Sequence, residues 1–76
     1  MMRLRYTHHA RSRMRERGVT EADVERVLTE YVESVDGRGG RRYKGPGTDG
    51  RMLKVWLVPK GSGSSVEVVK SVAWEV

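Results

Sequence analysis

The sequence contains no cysteine, and it also lacks phenylalanine, isoleucine, asparagine and glutamine. Without cysteine there can be no disulfide, no thiolate metal site and no cysteine nucleophile. A chain free of cysteine is typical of a reducing compartment, so we expect a cytoplasmic protein. Disulfide-stabilised folds and cysteine-based catalysis are therefore excluded.

Long apolar runs are missing as well. The longest, Val55 to Val58, is far too short to span a bilayer, and Met1 to Tyr6 lacks the apolar core of a signal peptide. We therefore expect no membrane association. With 76 residues the chain predicts a single domain, 1–76. A domain of this size buries only about two-thirds of its unfolded surface and is marginally stable by itself.

Basic residues dominate the charge. There are 15 lysines and arginines against 10 acidic residues, and arginine outnumbers lysine 11 to 4. The planar fork of arginine suits bidentate phosphate contacts and stacking on bases. The acids concentrate in one segment and the bases in two others, which favours a polyanion partner, with RNA preferred over DNA. Solubility and the codon bias of a GC-rich genome are the alternative explanation.

A short strand and a helix are predicted at the start of the chain. Residues 3–7 alternate between polar and apolar side chains, which is typical of a strand. Residues 8–17 have helical spacing. Thr7 is a suitable N-cap for this helix, and Gly18 lies where a left-handed C-cap belongs.

A second helix begins with a sequence that resembles a capping box, from Thr20 to Asp23. Its predicted end is near Glu33 or Ser34. One face of this helix is apolar. That face comprises Val24, Val27, Leu28, Tyr31 and Val35.

Strands are predicted for the second half of the chain. Residues 36–50 hold six glycines and a proline, which exclude a packed helix and leave a short strand at 41–44. Residues 51–58 are apolar on both faces, as in an interior strand. Lys60 to Ser65 predicts a hairpin loop, and residues 66–75 predict a last strand antiparallel to the previous one. One face of the last strand is predicted to hold Val66, Val68, Lys70, Val72 and Trp74.

The element order β-α-α-β-β-β predicts an α+β fold. Its simplest packing is an antiparallel three- to four-stranded sheet with both helices on one face. The sequence does not decide whether the first strand joins the edge or the centre of that sheet. The predicted core comprises Tyr6, Ala10, Met14, Val24, Val27, Leu28, Tyr31, Leu53, Val55, Leu57 and alternate residues of the last strand.

The first candidate cluster for chemistry is a helical ridge of His9, Arg13 and Arg17. A histidine beside two guanidiniums could hold a phosphate and transfer a proton near neutral pH. The simpler interpretation is a solvated helix face. His8 and His9 do not predict a metal site, because neighbouring residues on a helix point about 100° apart.

The second cluster is the basic, glycine-rich segment. Basic residues around an aromatic ring suit single-stranded nucleic acid, with Tyr43 as the stacking surface. A solvated, disordered hairpin is the alternative. The residues of this cluster are Arg38, Arg41, Arg42, Tyr43 and Lys44.

The third cluster lies on the strands and consists of Arg51, Lys54 and Lys70. Lys54 alternates in phase with Trp56 and other apolar side chains of its strand. Lysine in an apolar stripe either extends its ammonium group to solvent or is placed for function. If both lysines point away from the helices, they and the basic loop would line one surface.

Several common site types are not indicated. The sequence has no phosphate-binding GxxxxGK[ST] loop, no evident pair of catalytic carboxylates and no recognisable Ser-His-Asp set. No cofactor is predicted.

A family resemblance rests on four motifs. They are a Thr-x-His-Ala-x-x-Arg-x-x-x-Arg-Gly-Val helix, a Thr-Glu-x-Asp-Val helix, the sequence Arg-Arg-Tyr-Lys-Gly, and the strand Leu-Lys-Val-Trp-Leu-Val. From about Tyr6 to Trp74 the chain resembles a family of small bacterial and phage domains of unknown function. That family is grouped with the RelE/ParE-like toxins, in the fold of compact, metal-independent ribonucleases.

The resemblance implies site residues. Toxins of this fold use arginine, lysine, tyrosine or histidine to activate a ribose 2′-hydroxyl and stabilise the phosphorane. The chain departs from ribosome-dependent members because it ends in Ala73-Trp74-Glu75-Val76 and lacks their basic C-terminal segment. By position, the family pattern falls on His9, Ala10, Arg13 and Arg17, on Arg42 and Tyr43, and on Lys54.

The resulting hypothesis is a toxin-like, metal-independent endoribonuclease of a toxin–antitoxin system, with an antitoxin protein as a possible partner. His9 or Lys54 would remove the 2′-hydroxyl proton. Arg13, Arg42 and Arg51 would hold the scissile phosphate. One alternative is an RNA-binding module without catalysis. Another is a domain that pairs with an acidic, antitoxin-like peptide through an exposed sheet edge.

Overall fold

The computed structural model describes residues 3–59 and 66–75. These residues form one sheet in the strand order β1-β5-β4-β3-β2. β1 runs parallel to β5, and the other neighbouring strands are antiparallel. The elements are β1 (Leu4–Tyr6), α1 (His8–Arg17), α2 (Glu21–Glu30), β2 (Glu33–Gly37), β3 (Gly40–Pro46), β4 (Met52–Leu57) and β5 (Glu67–Trp74).

The predicted α+β fold is confirmed, with both helices on one face of the sheet. α1 packs against β5 and β1, and α2 packs against β3 and β4. The sheet differs from the prediction in two respects: it is mixed, because β1 is parallel to its neighbour, and it contains β2 as an additional strand. β1, whose place the sequence left open, lies at the edge.

The helix ends follow from local capping chemistry. The Thr7 hydroxyl accepts a hydrogen bond from the N–H of Ala10 at 3.0 Å, and Gly18 ends α1 with φ 66°. In α2 the Thr20 hydroxyl accepts from the N–H of Asp23, whose carboxylate accepts from the N–H of Thr20. The predicted capping box is therefore present with aspartate at its last position.

The predicted end of the second helix is wrong. α2 ends at Glu30, and residues 33–37 form β2 instead of a last helical turn. The chain leaves the helix at Tyr31, which has ψ 149°. The backbone of Gly45 in β3 packs closely against the end of α2, since a Cβ at Gly45 would come within 2.9 Å of the Tyr31 Cα.

A two-residue turn of Arg38 and Gly39 pairs Gly37 with Gly40 and folds β2 back onto β3. Gly40 has φ +121°, and a Cβ there would lie 1.9 Å from the carbonyl oxygen of Leu57. Only glycine fits this position. The glycines that exclude a helix thus build a hairpin, where the sequence predicts only a short strand at 41–44 between flexible turns.

One hydrophobic core lies between the sheet and the helices. It contains most of the predicted core residues and adds Val19, whereas Tyr31, which was predicted for the core, is about half exposed. Val35 of the predicted helix face is also about half exposed. A β-bulge opposite Trp56 and Leu57 changes the alternation of β5. Its buried residues are Val69 and Val72, so the predicted face that joined Val68, Lys70 and Val72 is wrong.

The predicted hairpin loop, Lys60 to Ser65, lies outside the described residues. In the described ranges both helices have ten residues. Neither is long or apolar enough to cross a membrane.

Candidate nucleic-acid interface

The two faces of the sheet have different surroundings. On β4, Leu53, Val55 and Leu57 are buried beneath the helices. Side chains alternate along a strand, so Met52, Lys54 and Trp56 point to the other side. No helix of the described residues covers that side. We call it the open face.

The strand register brings basic side chains around Trp56 on the open face. Arg42 of β3 lies directly opposite Trp56, and Lys44 lies opposite Lys54. Directly opposed residues project from the same side of an antiparallel pair. Lys70, at the bulge of β5, lines a cleft together with Trp56 and Arg42.

This cleft has a volume of about 270 Å³ and is also lined by Val35, by Asp36, whose carboxylate is paired with Arg41, and by Gly37, Gly39 and Gly40 of the β2–β3 hairpin. The Lys70 ammonium group donates a hydrogen bond to the carbonyl oxygen of Gly39 at 2.6 Å. Ligand sites for drug-sized molecules are usually about 300–1,000 Å³. A cleft of the observed size suits a single nucleobase better than a larger ligand.

The cations of the open face differ in how far they are neutralised. Arg42 is paired with Glu33, and the Lys44 ammonium group lies 3.2 Å from a carboxylate oxygen of Glu75. Lys54 has no ion pair or hydrogen bond among the described residues. The Nε of Arg42 is buried and has no hydrogen-bond partner there either. The open face therefore keeps positive charge beside Trp56.

Tyr43 and Arg41 lie on the opposite side of the sheet from Arg42. Tyr43 pairs in register with buried Val55, and its ring meets that of Tyr31 edge-on at 4.7 Å between centroids. The Arg41 guanidinium lies over the Tyr43 ring and donates to the carboxylate of Asp36. Both predicted residues therefore belong to the side that carries the helices.

The helical ridge of His9, Arg13 and Arg17 is also on the helix side, because α1 packs there. His9 is exposed, and Arg13 is paired with Glu16 at 2.8 Å. Arg17 donates to the carbonyl oxygen of Val72 at 2.7 Å and thus fastens α1 to β5. The sheet separates this ridge from Lys54 and Arg42.

Two further predicted residues lie outside the open face. Arg51 stacks over Trp74 at 4.0 Å and pairs with Asp49, on the helix side of β4 and β5. Arg38 occupies the exposed turn between β2 and β3. The structure therefore brings together Arg42, Lys44, Lys54 and Lys70 from the predicted set.

Trp56 is the site residue that the sequence-based candidates omitted. Trp56 and Lys54 are two residues apart in the sequence, and this spacing predicts that they share one face of the strand. Tyr43 is the predicted stacking residue because it stands among basic residues. The ring between the cations of the open face is instead that of Trp56, which is only partly buried.

A second, larger hollow of about 340 Å³ lies near the same end of the sheet. Its cation is Arg41, and the Asp36 carboxylate already neutralises that guanidinium. This hollow offers less to an anion than the cleft beside Trp56 does.

The comparisons with known proteins give a family but no function. A family model described as "Domain of unknown function (DUF4258)" matches residues 6–74, nearly the whole chain. Comparison with curated proteins and with solved structures finds no match. None of these results links the chain to the RelE/ParE-like toxins. The chain belongs to the family described as a domain of unknown function, DUF4258.

Proposed function

We propose that this protein binds single-stranded RNA on the open face of its sheet. One observation supports this above all: Trp56 is partly exposed on an uncovered sheet face and lies directly opposite Arg42. An aromatic ring on a sheet surface gives an unpaired base a stacking partner, and the cations around it attract the phosphates.

The distribution of cations supports a single strand rather than a duplex. Bases must be unstacked before they can lie on the Trp56 ring. Arg42 lies opposite Trp56 on β3, Lys54 lies two residues before Trp56 on β4, and Lys70 lines the same cleft. A flexible strand can place one base on the ring and the flanking phosphates on these cations. The resemblance to metal-independent ribonucleases favours RNA over DNA.

Tryptophan fluorescence tests the proposal, because the chain has two tryptophans on opposite sides of the sheet. With excitation at a wavelength that tyrosine does not absorb, Trp74→Phe leaves Trp56 as the only emitter, and Trp56→Phe leaves Trp74. We expect single-stranded RNA to quench the emission of Trp56 and to leave that of Trp74 nearly unchanged. Equal quenching of both, or none at low salt, would contradict the proposed site. Tighter binding of single-stranded DNA would contradict the choice of RNA.

A second candidate function is cleavage of the bound RNA, as in the RelE/ParE-like toxins that the sequence resembles. The observation that favours it is the free Lys54 ammonium group beside Arg42 and Lys44. In its neutral form Lys54 would take the proton of the 2′-hydroxyl. The 2′-oxygen would then attack phosphorus, and the 5′-oxygen would leave with a proton from water. Arg42 would stabilise the charge on the phosphorane.

A further inference from the structure

The two edges of the sheet are protected to different degrees. β1 has only three residues, with the exposed Arg5 at its centre and the exposed Arg3 just before it, and these charges hinder pairing with another strand. β2 forms the other edge, and all five of its residues are exposed. β2 contains no lysine, arginine or proline, and its pairing with β3 is regular. The β2 edge is the less protected one, because it is longer than β1 and its charged residues, Glu33 and Asp36, are paired with arginines of β3.

Exposed apolar side chains concentrate at the β2 edge. In the described residues the large exposed apolar side chains are Tyr31, Val32 and Val35, at 47%, 66% and 48% exposure. All three lie in β2 or in the segment that enters it. α2 covers β3 and β4 but not β2, so within the described part of the chain both faces of β2 are open to an approaching strand.

The hydrogen-bonding pattern shows which groups of β2 point outward. The carbonyl oxygen of Lys44 accepts from the N–H of Val32, so Lys44 directs its backbone groups toward β2. Along a strand, successive residues point their backbone N–H and C=O groups alternately to one neighbouring strand and to the other. Arg42 therefore also faces β2, and its partner Val35 faces β3. It follows that Ser34 and Asp36 direct their N–H and C=O groups to the outer side.

The charges of the edge favour a partner with the same edge. Glu33 is paired with Arg42 and Asp36 with Arg41, so both acids are neutralised by the next strand inward. A neutral edge has no preference for an acidic or a basic peptide. A second copy can pair with it in antiparallel register so that Val35 meets Val35 of that copy. Ser34 then lies opposite Asp36, and Glu33 opposite Gly37, so no like charges meet.

We propose that two copies of this chain pair through β2 to form a homodimer with one continuous sheet. The register centred on Val35 uses the outward groups of Ser34 and Asp36 for reciprocal hydrogen bonds between the copies. The contact is isologous, as a twofold axis requires. It also gives a small, marginally stable domain additional buried surface.

The symmetry has a structural consequence. The twofold axis of an antiparallel strand pair runs perpendicular to the sheet, so the open faces of both copies lie on the same side. This arrangement does not depend on RNA binding, and the dimer can be tested whether or not RNA binds.

Because the chain has no cysteine, a single introduced cysteine is a specific probe of the register. Val35→Cys would bring two thiols within disulfide distance across the axis. Glu33→Cys is the matched control, since its counterpart in the second copy would be four residues away along the strand. We expect oxidation to convert most of the Val35→Cys protein to a covalent dimer and little of the control. Equal cross-linking of the two variants would overturn the register.

Sedimentation tests the dimer without a cross-link. The wild type should sediment as a dimer in the micromolar range, and Val35→Lys, which places two ammonium groups opposite each other, should sediment as a monomer. Val35 is half exposed, so circular dichroism should be unchanged by the substitution. A wild type that is monomeric throughout this range would overturn the proposal. So would protection of the β2 amides from exchange only after an acidic peptide is added, because the edge would then serve another partner.

Discussion

One carboxylate oxygen of Asp23 accepts hydrogen bonds from both the backbone N–H and the hydroxyl of Thr48, at 2.8 and 2.6 Å. The other oxygen accepts from the N–H and the hydroxyl of Thr20. Asp23 is the buried charged residue of the described structure, with 4% exposure. A single carboxylate therefore caps α2 and fastens the β3–β4 turn to it.

We expect Asp23→Asn to destabilise the protein and to change its acid sensitivity. Burial by itself would raise the pKa of Asp23, but the hydrogen bonds from Thr20 and Thr48 outweigh it and lower the pKa to about 2. Because the folded-state pKa lies below the ordinary value, the carboxylate stabilises the fold above about pH 4. This stabilisation, about 2 kcal/mol, is lost as the pH falls from about 4 toward 2.

Urea unfolding at several pH values measures the effect of Asp23. The wild type should lose stability between about pH 4 and pH 2, and Asp23→Asn should show a flatter profile from a lower starting value. Asp49→Asn is a suitable control, because its carboxylate is exposed and pairs with Arg51 at the surface. An Asp23→Asn profile parallel to that of the wild type would contradict the assignment.

The first half of the fold could be predicted because its helix ends depend on residues close together in the sequence. The rest depends on pairing between strands, which the sequence does not show. Thr7, Gly18 and Thr20 set the helix ends through residues within four positions, so their roles were visible in the sequence. Val35 fits both the spacing of the α2 face and the alternation of a strand. Only the pairing of β2 with β3, through the glycine turn, decides between them.

The candidate site could be predicted from the sequence where side chains alternate regularly between the two faces of a strand. Lys54 and Trp56 share a face by simple alternation in β4. A bulge at Lys70 breaks the alternation of β5, so that Lys70 does not share the face of Val72. This bulge depends on the register between β4 and β5, and no local sequence signal marks it. Tyr43 was predicted as a stacking residue from its basic neighbours, but which side of β3 it occupies depends on the position of α2.

Arg41 and Arg42 provide a test with adjacent residues of the same type. Arg42 projects to the open face and Arg41 to the helix side, where Asp36 holds it. Arg42→Ala should weaken RNA binding and flatten the salt dependence, by about 0.7 in the slope of log K against log salt for one lost phosphate contact. Arg41→Ala should change neither.

Filter binding or fluorescence anisotropy at several salt concentrations gives these slopes. Lys54→Ala is a second open-face variant and should behave like Arg42→Ala. Arg13→Ala, on α1, is a further control on the helix side. If Arg41→Ala and Arg13→Ala flatten the slope as much as Arg42→Ala does, then binding is a property of the total charge and not of the open face.

Tyr43 and Trp56 should separate stability from binding. Tyr43 packs against Tyr31 and beside buried Val55. Tyr43→Ala should therefore lower the free energy of unfolding by about 1–3 kcal/mol, because the residue is only partly buried. Its RNA affinity, measured below the unfolding transition, should stay close to that of the wild type.

Trp56→Ala should show the opposite behaviour. It removes a partly exposed ring and should reduce RNA affinity by an amount that corresponds to one stacked base, about 1–3 kcal/mol, with a smaller loss of stability. Thermal unfolding and anisotropy titrations on the same samples measure both quantities. An affinity loss for Tyr43→Ala that exceeds that of Trp56→Ala would place the RNA on the helix side instead.

The last prediction concerns cleavage and the identity of its general base. If the bound RNA is cut by attack of its own 2′-hydroxyl, the product carries a 2′,3′-cyclic phosphate, and a deoxyribose at the cut site prevents the reaction.

Lys54 lies on the open face with Arg42, whereas His9 is separated from both by the sheet. We therefore expect Lys54→Ala to lower the single-turnover rate by about a hundredfold or more, and His9→Ala to have little effect. Lys54→Arg keeps the charge but does not release its proton, so it should bind RNA and fail to cut it. Cutting that survives Lys54→Arg, or that disappears with His9→Ala, would instead assign the reaction to the α1 ridge. The absence of cyclic phosphate under all of these conditions would leave the protein as an RNA-binding module without nuclease activity.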